Sequence, residues 1–320
     1  MKTVDSIEVV VTAIEEVTPL IKRFTLRQIA GGGLPPFSGG CHVTVVMRGG
    51  ERTFRNPYSL LSSPRNLDSY EIAVRRDDQG RGGSLFMHES VTVGTRLEIS
   101  HPINLFPLSK LARKQILIAG GVGITPILAM IDDLSAGPIS WELHYSMRGH
   151  EHAFFGNWLT GQHGDRVRLY DTSAGQRIDF ATLVARQPLG THLYVCGPGP
   201  MIADALASAR AAGWPESHLH VEQFAPPPAG EAFEVHLATS GKTVQVSAEQ
   251  SLLEALEAAG IEAPYLCRSG ACGRCELNVV ELDGELLHND HWLTAEDRLS
   301  GTKIMPCVSR SKCRRLVLDW

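Results

Sequence analysis

Apolar and polar residues alternate in short runs over the first hundred positions. The clearest runs cover residues 6–12, 21–27, 42–47, 58–62, 70–75 and 96–100. Stretches rich in glycine and proline, such as 31–36, separate them. Short strands at this spacing predict an antiparallel β-barrel or sandwich.

From residue 115 the pattern changes to strands and helices in alternation. Strands are predicted at 116–119, 139–145, 167–171 and 192–196, with one helix after residue 124 and another over 200–211. This alternation is typical of βαβ units and predicts a parallel sheet.

A third region begins after the proline-rich stretch 225–230, which predicts an extended spacer and a domain boundary. Beyond it lie predicted strands at 233–237 and 243–246, then a helix opened by the capping-box residues Ser251 and Glu254. A chain of 320 residues is long enough for two or three such domains.

Composition and charge narrow the function classes. A net charge of −5 with scattered arginines offers no basic face, so nucleic acid is not expected as a partner. No window approaches 18 apolar residues, and the first residues alternate rather than form a secretory signal. We therefore expect a cytoplasmic protein without a membrane partner.

The strongest chemical signal is a group of four cysteines: Cys267, Cys272, Cys275 and, 31 residues further on, Cys307. Their spacing is that of the ligands of plant-type [2Fe–2S] clusters. A zinc ribbon is the main alternative, but such sites favour two Cys-x2-Cys pairs and the chain has one. Cys313 competes with Cys307 as the fourth ligand, and Cys307 is the better match because it follows Pro306 at the start of a strand.

Two glycine-containing turns lie at the ends of predicted parallel strands. The first contains Gly120, Gly121, Gly123, Thr125 and Pro126, and the second contains Cys196, Gly197 and Pro198. Each turn is followed by the start of a helix, where the exposed backbone and its unpaired N–H groups can bind a phosphate. Ligands of doubly wound sheets bind at this edge, so the two turns predict a dinucleotide site. For either turn alone, an ordinary strand-to-helix connection remains the alternative.

A third set of candidates lies in the barrel region: Arg55, Tyr58, Ser59, Gly82, Gly83 and Ser84. Arg55 and Ser84 offer phosphate donors, the glycines allow close backbone approach, and Tyr58 offers a face to a flat ring. Taken alone, these residues fit an ordinary barrel strand and loop better than a flavin site.

In this order, the segments resemble the phthalate dioxygenase reductase family over nearly the whole chain. The resemblance implies an FMN-binding β-barrel over residues 1–108 and an NAD-binding α/β domain over 109–224. It further implies a proline-rich linker over 225–231 and a ferredoxin domain of the α+β β-grasp type over 232–320. FMN is implied because the nucleotide domain runs directly into the linker, without the flavin–adenine contacts of related reductases.

The resemblance also assigns roles to residues. Arg55, Tyr58 and Ser59 match the flavin motif, although two residues, Asn56 and Pro57, stand where the family usually has one between arginine and tyrosine. Gly82, Gly83 and Ser84 match the flavin-phosphate turn, and Phe224 matches an aromatic residue that packs near the flavin. The turns at 120–126 and 196–198 match the nucleotide motifs, and Asp171 at a strand end favours NADH by repelling a 2′-phosphate.

The implied function is electron transfer without a protein nucleophile. Electrons pass from NADH to FMN, then singly to the [2Fe–2S] cluster, and finally to a terminal Rieske-type oxygenase or demethylase. The chain is expected to be a monomer. The alternatives are a flavohaemoprotein-like or monooxygenase-coupled reductase, and an iron–sulfur flavoprotein carrier or redox sensor with a different partner.

Overall fold

The computed structural model describes residues 6–50, 52–149, 155–224 and 229–320. Contacts divide the chain after Phe224 into two compact units. The proline-rich residues 225–228 lie outside the described residues, so their predicted extended form stays a prediction. None of the helices in the described ranges combines the length and the apolar character that a membrane crossing requires.

The first sheet is antiparallel. Its strands are β1 (Ile7–Thr18), β2 (Ile21–Gln28), β3 (Cys41–Gly49), β4 (Arg52–Ser59), β5 (Tyr70–Arg75), β6 (Arg96–Ile99) and β7 (Ile103–Asn104), and α1 (Gly83–Glu89) follows β5. The order is β4-β3-β6-β1-β2-β5, with β7 beside β3. A bridge between Leu60 and Ile72 joins the two end strands and closes the barrel. Alternate residues such as Val9 and Val11 fill its core because successive strand side chains point to opposite faces.

One predicted strand is wrong in position. The pattern placed a strand at 58–62, whereas β4 spans Arg52–Ser59. Charged and polar residues dominate the first part of β4, so the apolar pattern that marks a strand begins only at its end.

The second sheet is parallel, as predicted. Its elements are β8 (Lys114–Gly120), α2 (Ile124–Ser135), β9 (Ser140–Met147), α3 (Gly156–His163), β10 (Val167–Asp171), α4 (Phe180–Ala185), β11 (Thr191–Cys196), α5 (Gly199–Ala211) and β12 (Leu219–Glu222). The strand order is β10-β9-β8-β11-β12. β8 and β11 are buried along most of their length, which is typical of central parallel strands covered by helices on both faces.

The barrel and the parallel sheet belong to the same compact unit, and close backbone contacts hold them together. The Gly39 N–H donates a 2.7 Å hydrogen bond to Asp133 Oδ2 on α2. A Cβ on Gly39 would lie 2.6 Å from Met130 Cα, so only glycine allows this approach. The barrel residues Ile21 and Leu61 share a core with α2, so the ends of both sheets are fixed relative to each other.

The second unit contains a mixed sheet. Its elements are β13 (Phe233–Leu237), β14 (Thr243–Val246), α6 (Leu252–Ala258), β15 (Leu277–Leu287), α7 (Ala295–Ser300), β16 (Lys303–Ile304) and β17 (Arg310–Leu318). The order is β14-β13-β17-β15-β16, with β13 and β17 parallel and the other pairs antiparallel. The predicted capping box of Ser251 and Glu254 opens α6. The long β15 was not predicted.

A buried arginine ties the beginning of this unit to its sheet. Arg310 on β17 is 2% exposed and donates to the backbone carbonyls of Gln250 (2.5 Å), Ser247 (2.9 Å) and Glu231 (3.0 Å). Its guanidinium also lies over the ring of Phe233. The fan of five N–H donors of arginine suits several carbonyls at once.

We expect Arg310→Met to lower the free energy of unfolding of this unit by at least about 3 kcal/mol, because it leaves buried carbonyls without donors. The measurement is thermal unfolding, followed by the circular dichroism of the purified chain. Arg314→Met, at an exposed position of the same strand, is the control and should change it by less than about 0.5 kcal/mol. Equal unfolding of the two variants would show that the carbonyl contacts contribute little.

Candidate functional site

The two predicted turns meet at one edge of the parallel sheet. β8 and β11 are neighbours in register, with Ala119 opposite Cys196, so the turns that follow them lie side by side. A Cβ on Gly120 would lie 2.6 Å from Pro198 Cδ, and one on Gly123 would collide with the carbonyl of Cys196. At Gly121 the backbone has φ +55° and no heavy atom lies within 4 Å of a Cβ position, so the space there is open.

The helix that follows the first turn contains Thr125 and Pro126 in its first turn. The Thr125 hydroxyl donates to the Val122 carbonyl at 3.0 Å, which fixes the turn rather than leaving the hydroxyl for a ligand. Both residues are buried. The predicted role of Thr125 and Pro126 in dinucleotide binding stays a prediction.

Three strand ends converge beside this edge. Ser59 ends β4, Cys196 ends β11, and Glu222 ends β12. Cys196 and Glu222 are direct partners in the parallel register. The Ser59 Oγ and Glu222 Oε2 atoms are buried, and neither has a hydrogen-bond partner of normal length among the described residues. Buried polar atoms of this kind are rare in folded proteins and single out this strand edge as a candidate site.

Burial governs the protonation of this group. It raises the pKa of Glu222 to about 8, and the nearby Ser59 hydroxyl opposes the rise only in part. Burial also raises the pKa of the Cys196 thiol well above its usual value, with the Glu222 carboxylate adding to the effect. At neutral pH the site is therefore uncharged, with a carboxylic acid, a thiol and a hydroxyl side by side.

The predicted flavin residues lie around β4 and the start of α1. Gly82 precedes α1 in a left-handed conformation with φ 98°, and a Cβ there would lie 3.1 Å from the ring of Phe54. Ser84 Oγ accepts a 3.1 Å hydrogen bond from the Asp77 N–H, which holds the turn. The Tyr58 hydroxyl accepts a hydrogen bond of 3.3 Å from the amide of Asn56, and burial raises the pKa of Tyr58 to about 12. The structure thus places Tyr58 on the face of β4 that meets the glycine turn, whereas Arg55 lies on the opposite face.

Two predicted residues lie at the margins. Asp171 ends β10, and its Oδ1 accepts hydrogen bonds from the Gly149 N–H (3.0 Å) and from Ser173 N–H (2.8 Å) and Oγ (2.6 Å). The Ser173 hydroxyl and these N–H groups lower the pKa of Asp171 to about 2, so it is ionised at neutral pH. Phe224, two residues after Glu222, is 47% exposed.

The four cysteines of the second unit form two close pairs. Cys275 Sγ and Cys307 Sγ are 3.3 Å apart, and Cys267 interacts with Cys272. The pairs are thus Cys267 with Cys272 and Cys275 with Cys307. Among the described residues, no three His, Cys, Asp or Glu side chains converge on a single ion. Two thiol pairs instead suit two irons, each of which takes two protein sulfurs in a [2Fe–2S] cluster.

Backbone N–H groups of the loop point at the sulfurs. The Ser269 N–H lies 3.4 Å from Cys267 Sγ, and those of Ala271, Arg274 and Gly270 interact with Cys267, Cys272 and Cys307 respectively. Such donors stabilise negative charge on thiolates. Gly273 has φ +74° and a Cβ there would collide with the indole of Trp292, so the loop can curl only with glycine at this position.

A buried ion pair anchors the same loop. Both guanidinium nitrogens of Arg268 donate at 2.7 Å to the carboxylate of Glu257 on α6, and the guanidinium lies 4.6 Å from the ring centre of Tyr265. Arg268 itself has φ 55°, a left-handed conformation that non-glycine residues seldom adopt. The paired thiols, the donors and this anchor together fit a [2Fe–2S] cluster.

Comparison with known proteins agrees with this arrangement. Residues 235–312 match the model of the 2Fe-2S iron-sulfur cluster binding domain, and residues 100–219 match the N-terminal domain of dimethylamine monooxygenase subunit DmmA-like proteins. The carnitine monooxygenase reductase subunit of Acinetobacter baumannii is 44% identical over 312 residues, covering 97% of this chain and 96% of the relative. The heme-dependent oxidative N-demethylase beta subunit of Ectopseudomonas mendocina is 44% identical over 313 residues, covering 98% of both chains.

Among solved structures, phthalate dioxygenase reductase, described as a modular structure for electron transfer from pyridine nucleotides to [2Fe–2S], aligns with a TM-score of 0.86. The two chains are 33% identical, and the alignment covers 98% of each. The chain belongs to the phthalate dioxygenase reductase family. The predicted family and fold class are thereby confirmed: an antiparallel barrel, a parallel-sheet domain and a ferredoxin domain.

Two residues of this family member were missed at the sequence level. Glu222 is not among the predicted site residues, and no clear signal marks it, because the four residues of β12 do not form an apolar run. Asn56 appears in the sequence only as one of the two residues between Arg55 and Tyr58. Both owe their positions to strand register, which the local pattern does not give.

The open space at Gly121 yields a test of the nucleotide turn. We expect Gly121→Val to raise the KM for NADH at least about tenfold, because the side chain fills the space in which a phosphate approaches the backbone. Gly213→Val is the control, since Gly213 also has positive φ and open surroundings but follows the far end of α5. Steady-state ferricyanide reduction measures both. Similar KM values for the two variants would remove the turn from the binding site.

Proposed function

We propose that this chain is the reductase component of a multi-component oxygenase or demethylase system. It transfers electrons from NADH through FMN to its own [2Fe–2S] cluster and on to a terminal Rieske-type oxygenase. One observation supports this most strongly: a single chain has both the Ser59–Cys196–Glu222 group and the two thiol pairs, and it aligns end to end with a reductase of this kind.

The residues act by placement and by their electrostatic character. The turns at Gly120–Gly123 and Cys196–Pro198 hold the dinucleotide, and Tyr58 with the Gly82–Gly83 turn holds the flavin. Bound flavin supplies the two-electron to one-electron conversion that the chain itself lacks. Because they are uncharged at neutral pH, Ser59, Cys196 and Glu222 would keep negative charge away from a bound flavin.

NADH is proposed over NADPH because the ionised Asp171 at the end of β10 repels a 2′-phosphate. FMN is proposed over FAD on the family resemblance. We also propose a cytoplasmic monomer with domains at 1–108, 109–224 and 232–320.

A second candidate partner is a heme-dependent demethylase. The subunit from Ectopseudomonas mendocina, which is 44% identical over almost the full length, supports it. The two candidates share the same reductase chemistry and differ only in the acceptor.

Reconstitution tests the proposal. The purified chain is combined, one at a time, with a Rieske-type oxygenase and a heme-dependent demethylase encoded near its gene, and NADH consumption is compared with product formed. We expect one of the two partners to turn over, with the amount of product formed equal to the amount of NADH consumed. Rapid reduction of cytochrome c without transfer to either would instead favour an electron carrier with a different partner.

A further inference from the structure

The register of β4 separates Arg55 from Tyr58. Paired residues of an antiparallel sheet have their side chains on the same face. On one face of β4 lie Phe54, Asn56 and Tyr58, opposite the buried residues Met47, Val45 and Val43 of β3. Arg55 and Ser59 lie on the other face. The two residues between Arg55 and Tyr58 therefore turn the arginine away from the tyrosine.

Asn56 occupies the space between Tyr58 and the glycine turn. Its Nδ2 donates to the Tyr58 hydroxyl at 3.3 Å. A Cβ on Gly83 would collide with the same amide, so Asn56 lies directly against the backbone at the start of α1. Phe54 lies two residues before Asn56 on the same face of β4. Its ring lies beside Gly82 and packs against the ring of Phe86.

Arg55 instead lies on the same face of the sheet as the acid Glu98. Val46 of β3 pairs with Arg55 on one side and with Glu98 of β6 on the other, so all three share a face. Arg48 lowers the pKa of Glu98, and the charge of Arg55 adds to that effect. The positive charge of Arg55 thus interacts with Glu98 on the face of the sheet opposite Tyr58.

We propose that Asn56, and not Arg55, is the β4 residue that binds the phosphate end of the flavin, through its side-chain amide. The inference rests on the proposed function, because it assumes that flavin binds at Tyr58 and the Gly82–Gly83 turn. Asn56 stands two residues before Tyr58 on the same face, which is the position that the family's motif gives to arginine. The amide offers two N–H donors but no charge, so this chain holds the phosphate from β4 by a neutral contact.

The test uses the full chain with its flavin removed, titrated with FMN and with riboflavin while flavin fluorescence is followed. Asn56→Asp keeps the shape but replaces donors by a negative charge. It should raise the Kd for FMN at least about 30-fold and that for riboflavin less than about threefold, because only FMN has a phosphate to repel. Asn56→Ser, which is neutral and shorter, should raise the Kd for FMN about five- to tenfold. Arg55→Gln is the matched control and should change either Kd less than about twofold.

Each other outcome decides against the proposal. A larger effect of Arg55→Gln than of Asn56→Asp on FMN would restore the arginine to the phosphate. Equal effects of Asn56→Asp on FMN and riboflavin would move Asn56 away from the phosphate end. Unchanged thermal unfolding shows that the variants are folded. If Asn56→Asp does not fold, the Kd of Asn56→Ser for FMN decides the question. Wild-type protein that binds no flavin would contradict the proposed function itself, which separates the two failures.

Discussion

Replacing Cys307 by alanine is expected to abolish the [2Fe–2S] cluster and to lower NADH-dependent cytochrome c reduction at least roughly 100-fold. Cys307 Sγ lies 3.3 Å from Cys275 Sγ. Without Cys307, the iron that this pair would hold keeps only one protein sulfur. Ferricyanide reduction should stay within about twofold of wild type, because ferricyanide accepts electrons from the flavin directly. Visible absorbance and iron content measure the cluster.

Cys313→Ala is the matched control. Cys313 lies on β17 opposite Gly284, in the same unit and only six residues beyond Cys307. It should keep the cluster and both activities. If Cys313→Ala lost the cluster while Cys307→Ala kept it, the assignment of the fourth ligand would be reversed.

Glu222→Gln is expected to stabilise the protein in a pH-dependent manner. The pKa of Glu222 is raised from 4.5 to about 8, so the folded state retains a proton between these values that the unfolded state releases. Wild-type stability is therefore unaffected below about pH 4.5 and falls as the pH rises towards 8. At pH 7 the loss is about 3 kcal/mol, which glutamine avoids because it has no charge to bury. Chemical denaturation at pH 4.5, 7 and 8 measures the difference.

The same substitution should change the pH profile of the reaction. In the proposed function, an ionised Glu222 would oppose the arrival of a hydride at the nearby flavin, so we expect the wild-type rate to fall about 30-fold between pH 7 and 9.5. Glu222→Gln should fall less than about twofold. Pre-steady-state flavin reduction by NADH measures this step without the cluster. Glu216→Gln, at an exposed acid paired with Arg210, is the control and should follow wild type. A wild-type profile that is flat across this range would remove Glu222 from the hydride site.

The sequence was informative wherever a site is local. The loop from Cys267 to Cys275 contains three ligands and both glycines within nine residues, so its chemistry does not depend on distant packing. The turn after β8 is similar, because a strand, three glycines and a helix start follow one another directly. The capping box at Ser251 fixed the start of α6 for the same reason.

The prediction of site residues was weakest where strand register determines which side chains share a face. Whether Arg55 or Asn56 shares a face with Tyr58 depends on counting residues within β4, and the strand was predicted six residues too late. A shift of one residue moves every side chain to the opposite face. The motif letters alone could not show which side chain reaches the glycine turn.

Glu222 and β15 show two further reasons. Glu222 becomes part of a site only because β12 pairs with β11 in the register that sets it opposite Cys196, a contact across 26 residues of sequence. β15 was missed because acids and exposed positions such as Val280 interrupt its alternation. Its pairing with β17, rather than its own pattern, makes it a strand.

Anaerobic titration of the purified chain with NADH, followed by visible absorbance and electron paramagnetic resonance, shows whether electrons pass from the nicotinamide through the flavin to the cluster. We expect uptake of about three electrons per chain, two by the flavin and one by the cluster, with the signal of a reduced [2Fe–2S] centre at the end point. Bleaching of the flavin while the cluster stays oxidised, or the absence of either chromophore, would contradict it.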